Sequence, residues 1–328
     1  MDAIDLGLFD YDRHNTLYYF ILNGDEQIYL RYGGRDPYSP DSYLDLESIE
    51  LALQKGLEMH EKNKRGELPR PAPPKPLFAR DMPLLVERTV GRGACVECHL
   101  IGDFQNTQRE KDGNFDEVAR MRWMYRSPDI KTIGIHLDVP KGLVVAEAKG
   151  SAADAGMKAG DLITALNGTP VLTYADFQYY YDQVDRLAKS VEITVEREGK
   201  TAKLTVELPV RWWWTDLGHR QWTVEPRIYF RSRPLTDEEK RRHGLKPEGF
   251  AGEVVSVDSY AKIMAAHNLQ KGDIIFAVDG VETDPVANTP ELYINLHKIS
   301  GETFQLDLIR EGERMKMPLK SARLSFRK

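Results

Sequence analysis

The stretch GLVVAEAKGSAADAGMKAGDLITALNGTPV, residues 142–171, carries the strongest fold signal in this chain of 328 residues. Gly160 and Asp161 form a predicted turn into the strand LITAL, and the next Asn-Gly pair favours a β-hairpin. A second hairpin is predicted in SVEITVEREGKTAKLTVEL, residues 190–208, around Glu198 and Gly199. A helix is expected over residues 174–187. Residues 126–210 are therefore predicted to form one β-rich domain.

This pattern resembles the circularly permuted PDZ domains of bacterial periplasmic proteases. The resemblance implies that Ile133, Gly134 and Ile135 form a loop whose backbone N–H groups hold a partner's terminal carboxylate while the partner adds as a strand. The groove helix would line the ligand with three aromatic residues: Phe177, Tyr180 and Tyr181. The expected partner is a protein with a free C-terminus or an exposed strand. The alternative is a domain that only packs against its neighbours.

Residues 226–325 repeat the pattern of the first domain and are predicted to form a second PDZ domain. Lys-Ala-Gly-Asp161 corresponds to Gln-Lys-Gly-Asp273, Asn-Gly168 to Asp-Gly280, and Arg-Glu-Gly199 to Arg-Glu-Gly312. Thr236 and Glu239 form a predicted capping box that opens a short helix. Because Ile-Tyr-Phe230 replaces a glycine loop before the edge strand, this copy is expected to be structural or to dock a partner by other means.

The only two cysteines, Cys95 and Cys98, precede His99 in a C-x-x-C-H sequence within residues 84–125. This sequence is typical of covalent haem c attachment, with the thiols on the haem vinyl groups and the histidine as proximal iron ligand. Met121 or Met124 would supply the distal ligand, or else pack as core residues. Four further distal candidates lie elsewhere: His60, Met82, His136 and His219.

Other interpretations of the cysteine pair remain open. Cys95 and Cys98 would also serve as a thiol-disulfide redox pair without haem, which leaves His99 unexplained. They would equally fit a protein-interaction module with inert thiols. Zinc is the weakest interpretation, because the sequence offers no second C-x-x-C or H-x-x-x-H.

Residues 1–65 contain a predicted hairpin, TLYYFILN followed by QIYLRY around an Asn-Gly turn, and then a helix. Asp45 or Ser42 caps that helix, and Ile49, Leu53 and Leu57 are predicted to lie on one face of it. A lone hairpin and helix cannot close a core, so residues 17–22 would present an apolar edge. We expect another part of the chain, a second copy or a missing N-terminal half to cover this edge.

FDYDRHNTLYYFILNGDEQIYLRYGGRD, residues 9–36, resembles the C-terminal half of a thioredoxin-like domain. The order of parts resembles a bacterial family of thioredoxin-like/PDZ fusion proteins, best known from planctomycetes and including selenoproteins. This chain lacks the family's thioredoxin active-site half, so the resemblance implies no reductase activity here. It also leaves open whether Met1 is the native start, since an upstream selenocysteine codon would be read as a stop.

The fold class predicted from these parts is a multidomain α+β protein. The proline-rich residues 66–83 are predicted to be a semi-rigid linker. Residues 211–225 hold four of the five tryptophans and are predicted to fill the joint between the two PDZ modules.

Composition excludes several function classes. The net charge of −6 argues against a nucleic-acid binder, and no apolar run is long enough to span a membrane. The absence of G-x-S-x-G and of a recognisable triad argues against a protease. No secretory signal is visible at the N-terminus, whereas haem c would require a periplasmic or exported protein, so a cytoplasmic location stays open. The function expected is a non-catalytic redox or scaffold protein that docks a partner.

Overall fold

A computed structural model describes residues 3–69, 72–216, 226–264 and 267–323. The chain divides into two compact units. The first comprises Met1–Gln105 and Met121–Gln221, and the second comprises Asn106–Arg120 and Trp222–Lys328. The C-x-x-C-H sequence and the first PDZ-like region therefore belong to one unit.

The first unit begins with the predicted hairpin and helix. Antiparallel strands β1 (Tyr18–Leu22) and β2 (Ile28–Gly33) precede helix α1 (Leu46–Lys64). Asp45 is the cap of α1, since its carboxylate accepts from the backbone N–H groups two and three residues further on.

The predicted apolar face of α1 is not the face that the helix buries. Ile49 packs on the hairpin, but Leu53 and Leu57 are 50% and 68% exposed. The residues that α1 buries are small: Ser48, Ala52 and Gly56. A Cβ at Gly56 would lie 2.7 Å from Ile21 Cγ2, so the helix approaches the hairpin more closely than a row of leucines would allow.

Strand β1 is only partly covered. Phe9 and Tyr11 pack on Phe20 and Tyr18, with ring-centroid distances of 5.2 and 5.0 Å. Three apolar side chains keep 47%, 45% and 37% of their exposure: Leu17, Tyr19 and Leu22. The N-terminal loop thus covers part of the predicted apolar edge, and cover by a second copy or a missing half stays a prediction.

Three short helices follow: α2 (Pro83–Arg88), α3 (Cys98–Lys111) and α4 (Glu117–Trp123). Before them, residues 72–78 have no regular secondary structure, as their prolines predict. This stretch is tethered, because the Leu6 N–H donates to the Leu77 carbonyl at 2.6 Å.

The PDZ-like part of the first unit contains six strands and two helices. They are β3 (Ile135–Leu137), β4 (Val145–Ala148), α5 (Gly150–Asp154), β5 (Leu162–Leu166), β6 (Thr169–Pro170), α6 (Tyr174–Tyr181), β7 (Ser190–Arg197) and β8 (Lys200–Glu207). One sheet has the order β6-β5-β7-β8, and β3 pairs with β4.

Helix α6 ends at Tyr181, earlier than the predicted residue 187. The N–H groups of Gln183 and Val184 bond to carbonyls three residues back, which tightens the chain into turns. The helix is therefore little more than two turns long.

Two of the tryptophans predicted to fill a joint lie in the core of the first unit. Trp212 packs on Tyr181 and Trp213 on Tyr125, with centroid distances of 4.7 and 5.0 Å. Trp214 is 46% exposed. Trp222 and the distal-ligand candidate His219 lie outside the described residues.

The second unit contains one five-stranded sheet. Its elements are β9 (Phe230–Pro234), α7 (Asp237–Arg242), β10 (Gly252–Val257), α8 (Ala261–Met264), β11 (Ile274–Val278), α9 (Pro290–His297), β12 (Thr303–Arg310) and β13 (Glu313–Lys320). The strand order is β13-β12-β11-β10-β9. The predicted capping box is confirmed, because Thr236 and Glu239 cap α7 reciprocally.

The two units repeat one ion pair. Arg197 donates to both carboxylate oxygens of Asp161 at 2.6 and 2.7 Å, and Arg310 donates to those of Asp273 at 2.8 and 2.7 Å. Each aspartate is at most 2% exposed. In both units this pair joins the Gly-Asp turn to the last residue of a long strand.

The hairpin turns repeat as well. The Asn167 N–H donates to the Glu192 carbonyl and its side chain accepts from the Glu192 N–H. Asp279 makes the same two bonds with Gln305. The sequence repeat therefore corresponds to a repeat of structure.

Candidate peptide-binding groove and CxxCH segment

The PDZ resemblance implies that strand β3 and helix α6 are the walls of the candidate groove and that the turn at residues 130–134 is its closed end. Gly134 has a φ of +85°, and a Cβ there would lie 1.8 Å from the Lys149 carbonyl oxygen. Only glycine fits this position. Within the described ranges, β3 pairs with β4 alone, so its other edge has no strand beside it.

The residues predicted to contact a ligand lie beneath the groove. Four of them are at most 1% exposed: Ile133, Ile135, Phe177 and Tyr181. The Phe177 and Tyr181 rings are 5.8 Å apart, and Tyr180 is half-buried. Their role in peptide binding stays a prediction.

Two residues of α6 that were not predicted as site residues contact the N-terminal region. Tyr174 stacks on Tyr43 with ring centroids 3.4 Å apart and an angle of 15° between the rings. Gln178, one turn later, donates to the Arg35 carbonyl at 3.3 Å and to the Tyr174 hydroxyl at 2.9 Å. The four-residue spacing puts both on one helix face, a signal available in the sequence.

The turn at the closed end of the groove holds an acidic side chain from the N-terminal region. Lys131 Nζ lies 2.7 Å from Asp36 Oδ2, and the other carboxylate oxygen accepts from the N–H groups of Tyr38 and Ser39. Burial favours the neutral acid, but Lys131 and the two N–H groups outweigh it and lower the pKa of Asp36 to about 2. Burial also raises the pKa of nearby Asp129.

Strand β2 docks on the start of α6 through polar contacts. The Arg31 N–H donates to Asp176 Oδ1 at 3.0 Å, and the Thr173 hydroxyl donates to the Arg31 carbonyl. Burial raises the pKa of Asp176 to about 6, against the opposing attraction of the Arg31 guanidinium. These bonds attach the hairpin firmly beside the groove.

A buried ion network holds the other end of α6. Arg126 bonds to Asp182 at 2.7 Å and to Asp10 at 3.1 Å, and Arg186 bonds to Asp182 at 2.8 Å. Arg186 also donates to the Met121 carbonyl at 3.3 Å. Burial alone would raise the pKa of Asp182, but the two arginines lower it. The network joins the N-terminal loop, the end of α4 and the end of α6.

A cavity of about 260 Å³ lies at the start of α6, between α1 and the chain that links β3 to β4. Its lining is mostly apolar and includes Tyr43 and Tyr174, the two stacked rings. Lys55 and Lys141 also line it. The cavity therefore borders the start of α6 on the side that faces α1, and no residue of β3 lines it.

The C-x-x-C-H residues lie at the start of α3. Cys95 is exposed and Cys98 is partly buried, and both are free thiols. His99 Nε2 lies 3.2 Å from the Glu97 carboxylate, with the imidazole 49% exposed. Burial, together with contact with the Cys98 thiol, raises the pKa of Tyr11 to about 12. Cys95 and the His99 imidazole are thus accessible to solvent, and Cys98 is partly so.

Most of the distal-ligand candidates are buried or already bonded, and their role stays a prediction. Met121 and Met124 are 1% and 2% exposed, and Met82 is 4% exposed. His60 Nδ1 bonds to the Tyr29 hydroxyl at 3.0 Å. Among the described residues there is no cluster of three or more His, Cys, Asp or Glu arranged to hold a metal ion.

Comparison with known proteins identifies the groove region. Residues 131–208 match the family described as PDZ domain. The chain is 39% identical over 72 residues to a probable periplasmic serine endoprotease DegP-like of Pseudomonas savastanoi pv. phaseolicola, covering 21% of this chain and 15% of that protein. It is 29% identical over 158 residues to the periplasmic serine endoprotease DegP of Salmonella typhimurium, covering 48% and 30%.

A solved HtrA-type protease with a decapeptide matches 40% of this chain and 40% of its own, at 15% identity and a TM-score of 0.26. The chain spans less than a third of the length of the two curated relatives. The described parts contain no helix that is both long and apolar enough to cross a membrane. This chain therefore contains a PDZ domain, a protein-interaction module, at residues 131–208.

Proposed function

We propose that this protein docks a partner protein by capturing its C-terminus in the groove between β3 and α6. The unpaired edge of β3 beside the glycine turn at Gly134 carries this proposal, because a bound peptide adds to such an edge as a strand. Lys131 at the closed end supplies a positive charge suited to a carboxylate.

The test is a selection of random C-terminal heptapeptides, displayed on phage, on the full-length protein. We expect enrichment of peptides that bind as free acids and lose affinity as C-terminal amides. Equal binding of acid and amide would contradict carboxylate capture. Amidation is a clean control because it leaves the protein unchanged.

We further propose that the second unit is a second PDZ-like module. The repeated Asp–Arg pair and the repeated hairpin turn support this. The 158 residues aligned with the Salmonella protein also exceed the 78 residues of the matched PDZ domain. The hairpin and α1, in turn, have the order expected for the C-terminal half of a thioredoxin-like domain.

We propose haem c attachment at Cys95 and Cys98, with His99 as proximal ligand, as a second function. The two accessible thiols at the start of α3 and the exposed imidazole next to them favour it. Bound haem would supply one-electron transfer. Its presence would make the protein an exported one, in line with the periplasmic relatives.

An absorption spectrum with a pyridine haemochrome assay tests this, on protein expressed with periplasmic haem c maturation. Covalent haem that disappears in Cys95→Ala would support the assignment. A colourless protein would overturn it, and titration of the thiols before and after reduction would then distinguish a disulfide pair from inert cysteines.

A further inference from the structure

We propose that residues 34–43 are an autoinhibitory segment that fills the PDZ groove and must be displaced by an incoming C-terminal peptide. This rests on the docking function proposed above for the same groove. The segment follows β2 directly and belongs to the same compact unit as the PDZ domain. Its contacts reach both the helix wall and the closed end of the groove.

At the helix wall, the segment covers the face that a ligand would use. Tyr43 stacks flat on Tyr174, and the Gln178 amide donates to the Arg35 carbonyl. A Cβ on Gly34 would come within 2.9 Å of both Tyr174 and Gln178 side chains, so the backbone of the segment lies directly against α6. A peptide between β3 and α6 would compete for this surface.

At the closed end, Asp36 resembles the terminal carboxylate of a ligand. Its carboxylate pairs with Lys131 in the turn before Gly134 and is 7% exposed. Two backbone N–H groups and the Ser42 hydroxyl, which accepts from the Asp36 N–H, hold the acid in place. Asp36 thus pairs with Lys131, the cation that the terminal carboxylate of a ligand would contact.

The segment can leave without unfolding its neighbours. It has no helix or strand, and Tyr38 within it is 83% exposed. The hairpin before it is held separately by Thr173 and Asp176, and α1 after it is capped by Asp45. Release therefore breaks one ion pair, one ring stack and a few hydrogen bonds.

Asp36→Asn and Asp36→Lys in the full-length protein test the proposal. The first weakens the pair with Lys131, and the second places two lysines together. The matched controls are Glu192→Gln and Glu192→Lys, which change the exposed pair with Lys203 at 2.8 Å on β7 and β8 and alter net charge equally. The phage selection is carried out on both the wild type and Asp36→Lys. The probe is a fluorescent free-acid heptapeptide obtained from it.

We expect Asp36→Asn to bind the probe several-fold more tightly than wild type and Asp36→Lys about tenfold more tightly, since apparent affinity scales with the fraction of open grooves. Both controls should match wild type. Equal affinity in wild type and both Asp36 variants would overturn the autoinhibitory role and leave docking intact. If neither selection yields a carboxylate-dependent peptide, docking and its inhibition both fail.

Hydrogen exchange gives a readout that does not depend on the probe. In Asp36→Lys, amides of residues 36–43 should exchange faster while those of α1 and β2 keep their protection. Loss of protection throughout the hairpin and α1 would show general unfolding, and would overturn the idea of a separately released segment.

Discussion

The two units share a frame, namely the Asp–Arg pair and the hairpin turn that repeat in both. They close their grooves differently. In the first, residues 34–43 lie against α6, and Asp36 pairs with Lys131. In the second, α9 reaches the corresponding strand itself, because the Glu291 carboxylate accepts from the N–H and hydroxyl of Ser232 on β9. The segment 34–43 can leave the first groove, whereas Glu291 is part of the groove helix of the second unit and stays with it.

The contacts that hold the fold are therefore different from the contacts that close the groove. The Asp–Arg pairs and the hairpin turns, which hold the frame, are the same in both units. The units differ in what contacts the groove helix. In the first unit it is the segment 34–43, and in the second it is Ser232 of the groove strand. The shared frame therefore does not decide which groove is accessible to a peptide ligand.

The largest loss of stability is expected from the buried ion network of Arg126, Asp182 and Arg186 in the first unit. This network is separate from the Asp–Arg pair that both units share. Asp182→Ala leaves Arg126 and Arg186 without their shared carboxylate, and removing one partner of a buried pair costs about 3–5 kcal/mol. Urea unfolding followed by tryptophan fluorescence measures this. Asp185→Ala, in the same turn but exposed, is the control and should cost much less.

The frame pairs should be equivalent in the two units. Asp161→Ala and Asp273→Ala each remove two charged hydrogen bonds to an arginine and one backbone contact, so each should lower the free energy of unfolding by about 2–3 kcal/mol. Hydrogen exchange assigns each loss to its unit. A large effect at one site and none at the other would break the comparison.

Closure of the second groove should depend on Glu291. Glu291→Ala removes the acceptor of the Ser232 N–H, which costs about 1–2 kcal/mol in the second unit. Faster exchange of the Ser232 amide is the direct readout. Probe binding to the full-length protein should not change, and additional binding would show that the second groove also takes the peptide.

The smallest effect is a pH dependence from Asp36. Because its pKa is lowered to about 2 in the folded protein, its contribution to stability is complete above about pH 4 and is lost as pH falls towards about 2. The stability difference between wild type and Asp36→Asn should therefore shrink over that range. A difference that stays constant would show that the pair with Lys131 contributes nothing.

Local patterns predicted much of the frame. The Asn-Gly turn, the Gly-Asp turn, the capping box of Thr236 and the cap at Asp45 all act between residues close in sequence, so they are visible without a structure. The face of α1 was mispredicted because leucine spacing ignores how closely a helix with small residues can approach a hairpin.

The PDZ frame and its turns were predictable from the residues alone, because they depend on short-range geometry and residue type, whereas the helix that begins at Cys98 was not predicted. What lies in the groove depends on contacts that form only in the folded chain. The contacts of Tyr43 with Tyr174 and of Asp36 with Lys131 join residues some hundred positions apart. Neither partner carries a local signal of the other, since long-range packing and charge pairing arise only when the chain folds.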